Sequence, residues 1–206
     1  MLHRRQVLTL AAAAAAFVAL PGAARVALAQ ASGDRATAFV KATGDKLVAV
    51  VNGPGSAAQK REELTRIIDQ TVDVDGVGRF CLGRFWRTAT PDQQKRYLAL
   101  FHQVLVTSIT SKLGEYQGVR FTVGRSRSQD EEEVVSTVVE RPNNPPANVD
   151  WVIANPNSAP KIVDVIAEGT SLRLTQRSDY ASFLAHNSSN VDALINAMQQ
   201  QVASAG

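Results

Sequence analysis

The chain has 206 residues, of which 22 are Lys or Arg, 19 are Asp or Glu and 45% are hydrophobic, so its formal net charge is +3. Basic and acidic residues are interspersed along the chain, which excludes the charge pattern of a nucleic-acid-binding protein. We therefore expect no nucleic-acid partner.

The first 29 residues have the pattern of a cleaved export signal. A short basic segment, Met1–Arg5, precedes the apolar run Val7–Leu20, and an A-x-A cleavage sequence ends at Ala29. The apolar run is shorter than a typical membrane span. Its flanking pair of arginines fits a twin-arginine signal as well as an ordinary Sec signal, and both routes stay open. Either route predicts a periplasmic location.

Cleavage after Ala29 would leave residues 30–206 as a single domain. It would remove Arg4, Arg5 and Arg25 but no acidic residue, so that 19 basic residues would balance 19 acidic ones. The basic excess of the whole chain therefore belongs to the predicted signal segment.

The chain has one cysteine, Cys81, so an internal disulfide is excluded. This residue lies between Phe80 and Leu82 in an apolar stretch. We expect a buried and unreactive thiol rather than a nucleophile.

Helices are predicted in the first half of the domain, because apolar residues recur there at three- and four-residue steps. Gly53-Pro54-Gly55 ends the first of them. The four predicted helices cover residues 34–51, 57–72 and 74–82, and a long segment from Pro91 to about Gly114 or Gly118.

The long helix has the clearest start in the chain. Thr90 is a suitable N-cap, Pro91 suits the first helical position, and Gln93 can close a capping box onto Thr90. A helix with a long apolar stripe needs a large apolar partner, which we expect the rest of the chain to supply. The stripe consists of Tyr97, Phe101, Val104, Leu105, Ser108, Ile109, Leu113 and Tyr116.

The pattern changes to strands after this helix. Val119–Val123 alternates apolar and polar residues, and three β-branched segments follow at 134–140, 149–154 and 161–167. The turns between them are short, which predicts an antiparallel meander. Helices at about 179–186 and 191–202 close the chain. The predicted fold class is α+β, with helices packed on one face of a curved four-stranded antiparallel sheet.

Motifs for catalysis or metal binding are absent from the sequence. Neither His102 nor His186 has Cys, Asp or Glu at metal-ligand spacing, and there is no G-x-S-x-G, phosphate loop or dinucleotide fingerprint. We therefore expect no enzyme activity, cofactor or metal. Two alternatives stay open. One is a periplasmic hydrolase whose histidine and carboxylate meet only in the fold, and the other is a structural protein with a solid core.

Three segments of the chain resemble the MlaC family, also called the toluene-tolerance auxiliary family. Leu82–Gln93 is similar to its LGRYWRxATPEQ-like stretch, Val165–Leu172 to its V-x-x-EG-x-S-L segment, and Gln176–Leu184 to its closing helix. The resemblance covers nearly the whole mature chain. Two residues depart from the pattern, because Phe85 replaces the commoner Tyr and Thr170 replaces a common Val.

The resemblance implies an NTF2-like or MlaC-like fold with an apolar pocket between its helix and sheet layers. It also implies a periplasmic carrier that shuttles phospholipid between an outer-membrane lipoprotein complex and an inner-membrane ABC transporter. Thr170 would make one edge of the pocket more polar. A hopanoid or other polycyclic lipid is therefore the alternative cargo.

We expect the lipid tails to lie between the long helix and the sheet. The candidate ligand-binding residues are Phe101, Leu105, Ile109, Phe121, Val123, Val138, Trp151, Ile153, Val165 and Thr170. A one-residue error in strand register would move a strand residue to the opposite face. For Arg84 and Arg87 we expect structural ion pairs, and contact with a headgroup or a partner is the alternative.

Overall fold

The computed structural model describes residues 21–204, and their side chains from residue 30 onward. The predicted signal segment up to residue 20 lies outside the described residues, and residues 21–29 form the first turns of α1. The helices are α1 (Pro21–Asn52), α2 (Ala57–Thr71), α3 (Val74–Leu82), α4 (Pro91–Thr110), α5 (Leu172–His186) and α6 (Val191–Ser204). The strands are β1 (Arg120–Gln129), β2 (Glu132–Glu140), β3 (Ala147–Ala154), β4 (Lys161–Ala167) and β5 (Thr170–Ser171).

The strands form one antiparallel sheet in chain order, from β1 at one edge to β5 at the other. This confirms the predicted α+β class and the meander. A short fifth strand is added beyond the predicted four. β1 also runs six residues past Val123, across an irregularity between Val123 and Ser126 that breaks the alternation of side chains.

Helices cover both faces of the sheet, whereas the sequence predicted helices on one face. Helix α1 packs across β1 and β2, while α3 and α5 pack against β4 from the other side. On the α1 side, Ala36 and Val40 contact an apolar cluster with Val135, Ile153 and Ile162. On the other side, the smaller cluster of Val134, Val152 and Val163 is completed by Val77 of α3.

The long helix α4 packs mainly on α2, α3 and α6. The first part of its apolar stripe, Tyr97, Phe101 and Val104, is buried in a helical core in which Tyr97 is fully enclosed, whereas Ile109 near the end of the helix is exposed. The capping box is confirmed, because Gln93 N donates to Thr90 Oγ1 at 3.2 Å and Thr90 N donates to Gln93 Oε1 at 2.9 Å. The helix ends at Thr110, earlier than predicted, and a 3-10 turn at Leu113–Tyr116 follows.

Helix α5 begins seven residues before the predicted position. Ser171 caps its first turn by accepting a hydrogen bond from Leu174 N at 3.1 Å. The first two leucines, Leu172 and Leu174, are 52% and 56% exposed. Because both leucines face solvent, they do not belong to a buried apolar stripe. The first turn of α5 therefore lacks the apolar residues at three- and four-residue steps that indicate a helix in a sequence.

A buried carboxylate joins the sheet to the helical bundle. Asp164 of β4 has a side chain that is 3% exposed. It accepts hydrogen bonds from Arg173 N at 3.0 Å and Ser171 Oγ at 2.5 Å, and Arg173 Nε lies 3.4 Å away. Arg173 in turn reaches Glu132 of β2, with both N···O distances at 3.3 Å. This network fixes the start of α5 against β2 and β4.

We predict that Asp164→Asn lowers the free energy of unfolding by about 3 kcal/mol, because it removes the charge that satisfies buried donors around Arg173. Urea denaturation followed by circular dichroism measures this loss. The matched control is Asp150→Asn on the neighbouring strand, whose pair with the half-exposed Arg127 should contribute at most about 1 kcal/mol. Equal losses in the two variants would show that the Asp164 network does not fix α5.

Two buried tyrosines of the helical core differ in their hydrogen bonding. Tyr97 Oη donates to Gly78 O at 2.8 Å, whereas the buried Tyr180 Oη has no partner among the described residues. Burial raises the pKa of both hydroxyls, so both stay neutral at physiological pH.

We predict that Tyr180→Phe stabilises the fold by about 1 kcal/mol, because it removes an unsatisfied buried hydroxyl. Tyr97→Phe should destabilise it by about 1 kcal/mol, because it breaks a made hydrogen bond. Urea denaturation of both variants measures the difference. A loss of stability in Tyr180→Phe would mean that this hydroxyl has a partner.

Candidate functional site

One face of the sheet is apolar over most of its length. Strand register places a continuous set of side chains on the face that α1 covers, which we call the α1-facing face. Several of them are only half-buried, so the face is not fully closed by protein. Its apolar members are Phe121, Val123, Val135, Val139, Val149, Trp151, Ile153, Ile162 and Val165.

Polar groups on the α1-facing face are satisfied within the sheet. Trp151 Nε1 donates to Thr137 Oγ1 at 3.0 Å, and this hydroxyl donates to Val149 O at 2.9 Å. At the start of β2, the buried Glu133 carboxylate accepts a hydrogen bond from Ser128 Oγ at 2.6 Å. The face therefore offers an apolar surface with few unmet hydrogen-bonding groups, as an apolar ligand requires.

Helix α1 lies close to this face at a glycine. A Cβ atom built on Gly44 would come within 2.0 Å of Phe121 Cζ, so the phenyl ring occupies the place of a side chain on the helix. Beyond this contact, Asn52 at the end of α1 holds the segment just before β1. Its side-chain Nδ2 donates a hydrogen bond to Val119 O at 3.0 Å, and its Oδ1 accepts one from Gly118 N at 2.7 Å.

A cavity of about 500 Å³ opens between α1 and β1 at the edge of the sheet. Its apolar part is formed by Val48 and Phe121. Its remaining lining residues are polar or charged, and two of them, Arg120 and Glu140, form an ion pair with an N···O distance of 3.4 Å. The cavity thus combines an apolar floor with a charged rim at the border of the α1-facing face.

Five of the ten predicted ligand-binding residues share the α1-facing face. Val123, Trp151, Ile153 and Val165 pack in the cluster beneath α1, and Phe121 lies against Gly44. Ile153 is fully buried, and the other four are half-buried.

The other five lie elsewhere. Phe101 and Leu105 pack in the helical core, and Ile109, one turn further along α4, is 41% exposed. Val138 lies on the opposite face of the sheet and is 37% exposed, and Thr170 is exposed on β5. The structure therefore does not gather the ten residues into one site, because α4 packs on other helices and α1 takes the place over the sheet.

The contribution of α1 was missed by sequence analysis. The signal for it was Gly44, since glycine in the interior of a helix costs roughly 1 kcal/mol relative to alanine. Such a residue indicates that another group approaches the helix backbone closely.

The candidate catalytic residues do not form a site with a nucleophile. Burial raises the pKa of Cys81 to about 12, so its thiol stays protonated. His102 Nε2 lies 2.6 Å from Asp69 Oδ1 on the surface and links α4 to α2, and this pair lines neither described cavity. His186 Nδ1 lies 2.8 Å from Ser182 O in its own helix.

Residues 21–204 contain neither a group of metal-ligating side chains nor a membrane-spanning helix. Within them, no three His, Cys, Asp or Glu residues are grouped so that they could hold a metal ion. In the same part of the chain, every helix is too short or too polar to span a bilayer.

Comparisons with known proteins agree on one family. The family model described as MlaC protein matches residues 27–200. The toluene tolerance protein Ttg2D of Pseudomonas putida is 26% identical over 146 residues, which are 70% of this chain and 68% of that protein. A phospholipid-binding protein from Ralstonia solanacearum, solved in complex with a phospholipid, superposes with a TM-score of 0.71 at 22% identity and covers 82% of this chain and 98% of its own.

We predict that Gly44→Ala lowers the free energy of unfolding by about 1–3 kcal/mol, because the added methyl group would collide with the Phe121 ring. The cost should shrink in a Phe121→Leu background, where the ring is absent. Urea denaturation of the single and double variants measures the coupling. Gly114→Ala is the matched control, because a Cβ atom there would meet nothing within 4 Å. A Gly44→Ala variant as stable as the wild type would contradict the close packing of α1.

Proposed function

The chain belongs to the MlaC family, and from this premise we propose that it is a periplasmic lipid-binding carrier rather than an enzyme. The phospholipid bound to the structurally similar Ralstonia protein supports phospholipid as the cargo. The export signal predicted for residues 1–29 supports the periplasmic location.

The observation on which the proposal depends most is the apolar α1-facing face with its half-buried side chains. A lipid in water must have its tails enclosed, since each buried methylene stabilises the complex by about 0.8 kcal/mol. Two acyl chains of roughly thirty methylenes together represent more than about 20 kcal/mol before the costs of binding are subtracted. We place the tails between α1 and this face, against Phe121, Val123, Trp151 and Val165.

The cavity between α1 and β1 is the proposed entrance. Its apolar floor at Val48 and Phe121 leads toward the α1-facing face, and its charged rim remains in water. Such a rim suits a polar headgroup, while the tails pass inward. Phe101, Leu105 and Ile109 on α4, and Thr170 on β5, remain candidates for a second part of the site, whereas Val138 lies on the face of the sheet opposite the proposed tails.

The proposed transport role follows from the family. We propose that the carrier exchanges phospholipid with an outer-membrane lipoprotein complex and an inner-membrane ABC transporter. No reaction chemistry is needed, because lipid moves when docking changes its affinity for the carrier. A hopanoid cargo has no support from the comparisons, and the exposed Thr170 is the one residue that suggested it.

Native mass spectrometry of the protein purified from a periplasm tests the proposed cargo. We predict a stoichiometric adduct with the mass of a phospholipid, identified after organic extraction. An adduct with the mass of a hopanoid would identify a hopanoid as the cargo instead. A protein that carries no lipid, even after incubation with phospholipid vesicles, would contradict the carrier function.

The same measurement tests the site through two neighbouring residues of β2. Val139 lies on the α1-facing face, and Val138 lies on the opposite face. We predict that Val139→Glu lowers the bound lipid at least about tenfold, because a carboxylate would lie among the tails. Val138→Glu is the matched control and should keep its lipid. If Val138→Glu empties the protein and Val139→Glu does not, the tails lie on the other face.

A further inference from the structure

Four arginines near the first family motif, Leu82–Gln93, form no ion pair within the described part of the chain. Arg79, Arg84, Arg87 and Arg177 are exposed, and no carboxylate of the described residues lies within 4.0 Å of their charged groups. The expectation of structural ion pairs for Arg84 and Arg87 was therefore wrong. We call these four residues the arginine surface.

Three of these arginines lie over aromatic rings instead. The guanidinium carbon of Arg79 is 5.4 Å from the centre of Trp86, that of Arg84 is 4.8 Å from Phe85, and that of Arg177 is 4.7 Å from Phe80. A ring restrains the guanidinium group without using its N–H donors. The donors remain available for a planar anion from outside the chain.

The fold brings the arginine surface together from three elements. Arg79 lies on α3, Arg84 and Arg87 lie in the 3-10 turn Gly83–Arg87, and Arg177 lies on α5. Gly83 has a φ of +60°, and a Cβ atom there would lie 3.4 Å from Arg177 Nε. The left-handed glycine thus lets the turn approach α5 closely.

A cavity of about 650 Å³ opens at this surface. Arg84 and Arg87 line it together with neutral groups, and none of its lining residues is acidic. The remaining lining residues are Phe85, Thr88, Gln93, Ser189, Asn190 and Val191.

Nearby charges do not neutralise the cavity. Asp192 is bound by Gln93 at 2.8 Å and by Arg96 at 3.0 Å, and Arg96 also lies 3.6 Å from Asp92. The first amides of α6 are occupied as well, because Asn190 Oδ1 accepts from Asp192 N at 3.0 Å. An incoming anion would therefore be bound by the arginine side chains and not by the helix N-terminus.

From this geometry we propose that the arginine surface is a docking site for an acidic segment of a partner protein. The inference rests on the proposed carrier function, which requires the protein to dock onto other complexes. A concave cavity with neutral hydrogen-bonding groups fits a protruding Asp or Glu side chain better than it fits a flat bilayer. Stacked guanidinium groups also match the planar carboxylate, to which arginine binds through two parallel hydrogen bonds.

The test uses a fluorescein-labelled oligoglutamate peptide as the probe in fluorescence anisotropy titrations. In the full-length mature protein, we expect the double variant Arg84→Gln/Arg87→Gln to raise the Kd for the peptide at least about tenfold, because both guanidinium groups at the cavity are lost. The matched control is Arg61→Gln/Arg125→Gln, which removes two exposed charges that form no ion pair in the described chain. Its Kd should change less than about twofold.

Site-specific evidence comes from the arginine Nε–H signals in NMR spectra. The peptide should shift the signals of Arg84 and Arg87 and leave those of Arg61 and Arg125 in place. Absence of peptide binding, or equal weakening in both double variants, would overturn the proposal. A second result would also overturn the proposal. If vesicles of phosphatidylglycerol and phosphatidylcholine bind through Arg84 and Arg87 while the peptide does not bind, the partner is a membrane and not a protein.

A measurement of bound lipid distinguishes a failure of the docking proposal from a failure of the carrier function. Native mass spectrometry should show that Arg84→Gln/Arg87→Gln keeps as much phospholipid as the wild type, because the cavity lies apart from the α1-facing face. An empty wild-type protein would refute the carrier function whatever the peptide result. A lipid-loaded protein that does not bind the peptide would refute the docking site alone.

Discussion

The architecture depends on one buried carboxylate, that of Asp164. A charge with 3% of its side chain exposed is tolerated only when donors surround it, and here the donors come from the start of α5. Arg173 extends the contact to Glu132 of β2 and lies 5.0 Å from the ring centre of Phe80 on α3. Beside the apolar contact of Val77, the bundle of α3 to α6 is thus joined to one face of the sheet by charged hydrogen bonds, which have strict geometry.

The opposite face is held differently. Helix α1 covers it through apolar contacts, and the described polar ties lie toward its ends, at Asn52 and at Arg35, which donates to Asn157 O at 3.4 Å. Apolar contacts are not directional, so one apolar surface can replace another at little cost. This difference supports our placing of the lipid tails under α1, where acyl chains can take over contacts that protein side chains make in part.

The two proposed sites lie on different parts of the molecule and use different chemistry. The α1-facing face has satisfied polar groups and apolar side chains, as an enclosed ligand needs. The arginine surface has charged groups that no carboxylate of the described residues neutralises, as a transient protein contact needs. Because the two proposed sites are separate, a partner protein can recognise the carrier by its charge while the lipid stays enclosed.

Sequence alone determined the local features of this protein. The capping box of Thr90 and Gln93, the alternation at Val119–Val123 and the family motif at Leu82–Gln93 depend on residues a few positions apart, so a pattern in the chain reveals them. Which helix covers the apolar face was decided by tertiary structure, through contacts such as Gly44 with Phe121 between residues far apart in the chain. That Arg84 and Arg87 have no carboxylate partner among residues 30–204 was decided in the same way, because a charge is paired or unpaired according to what the fold brings beside it.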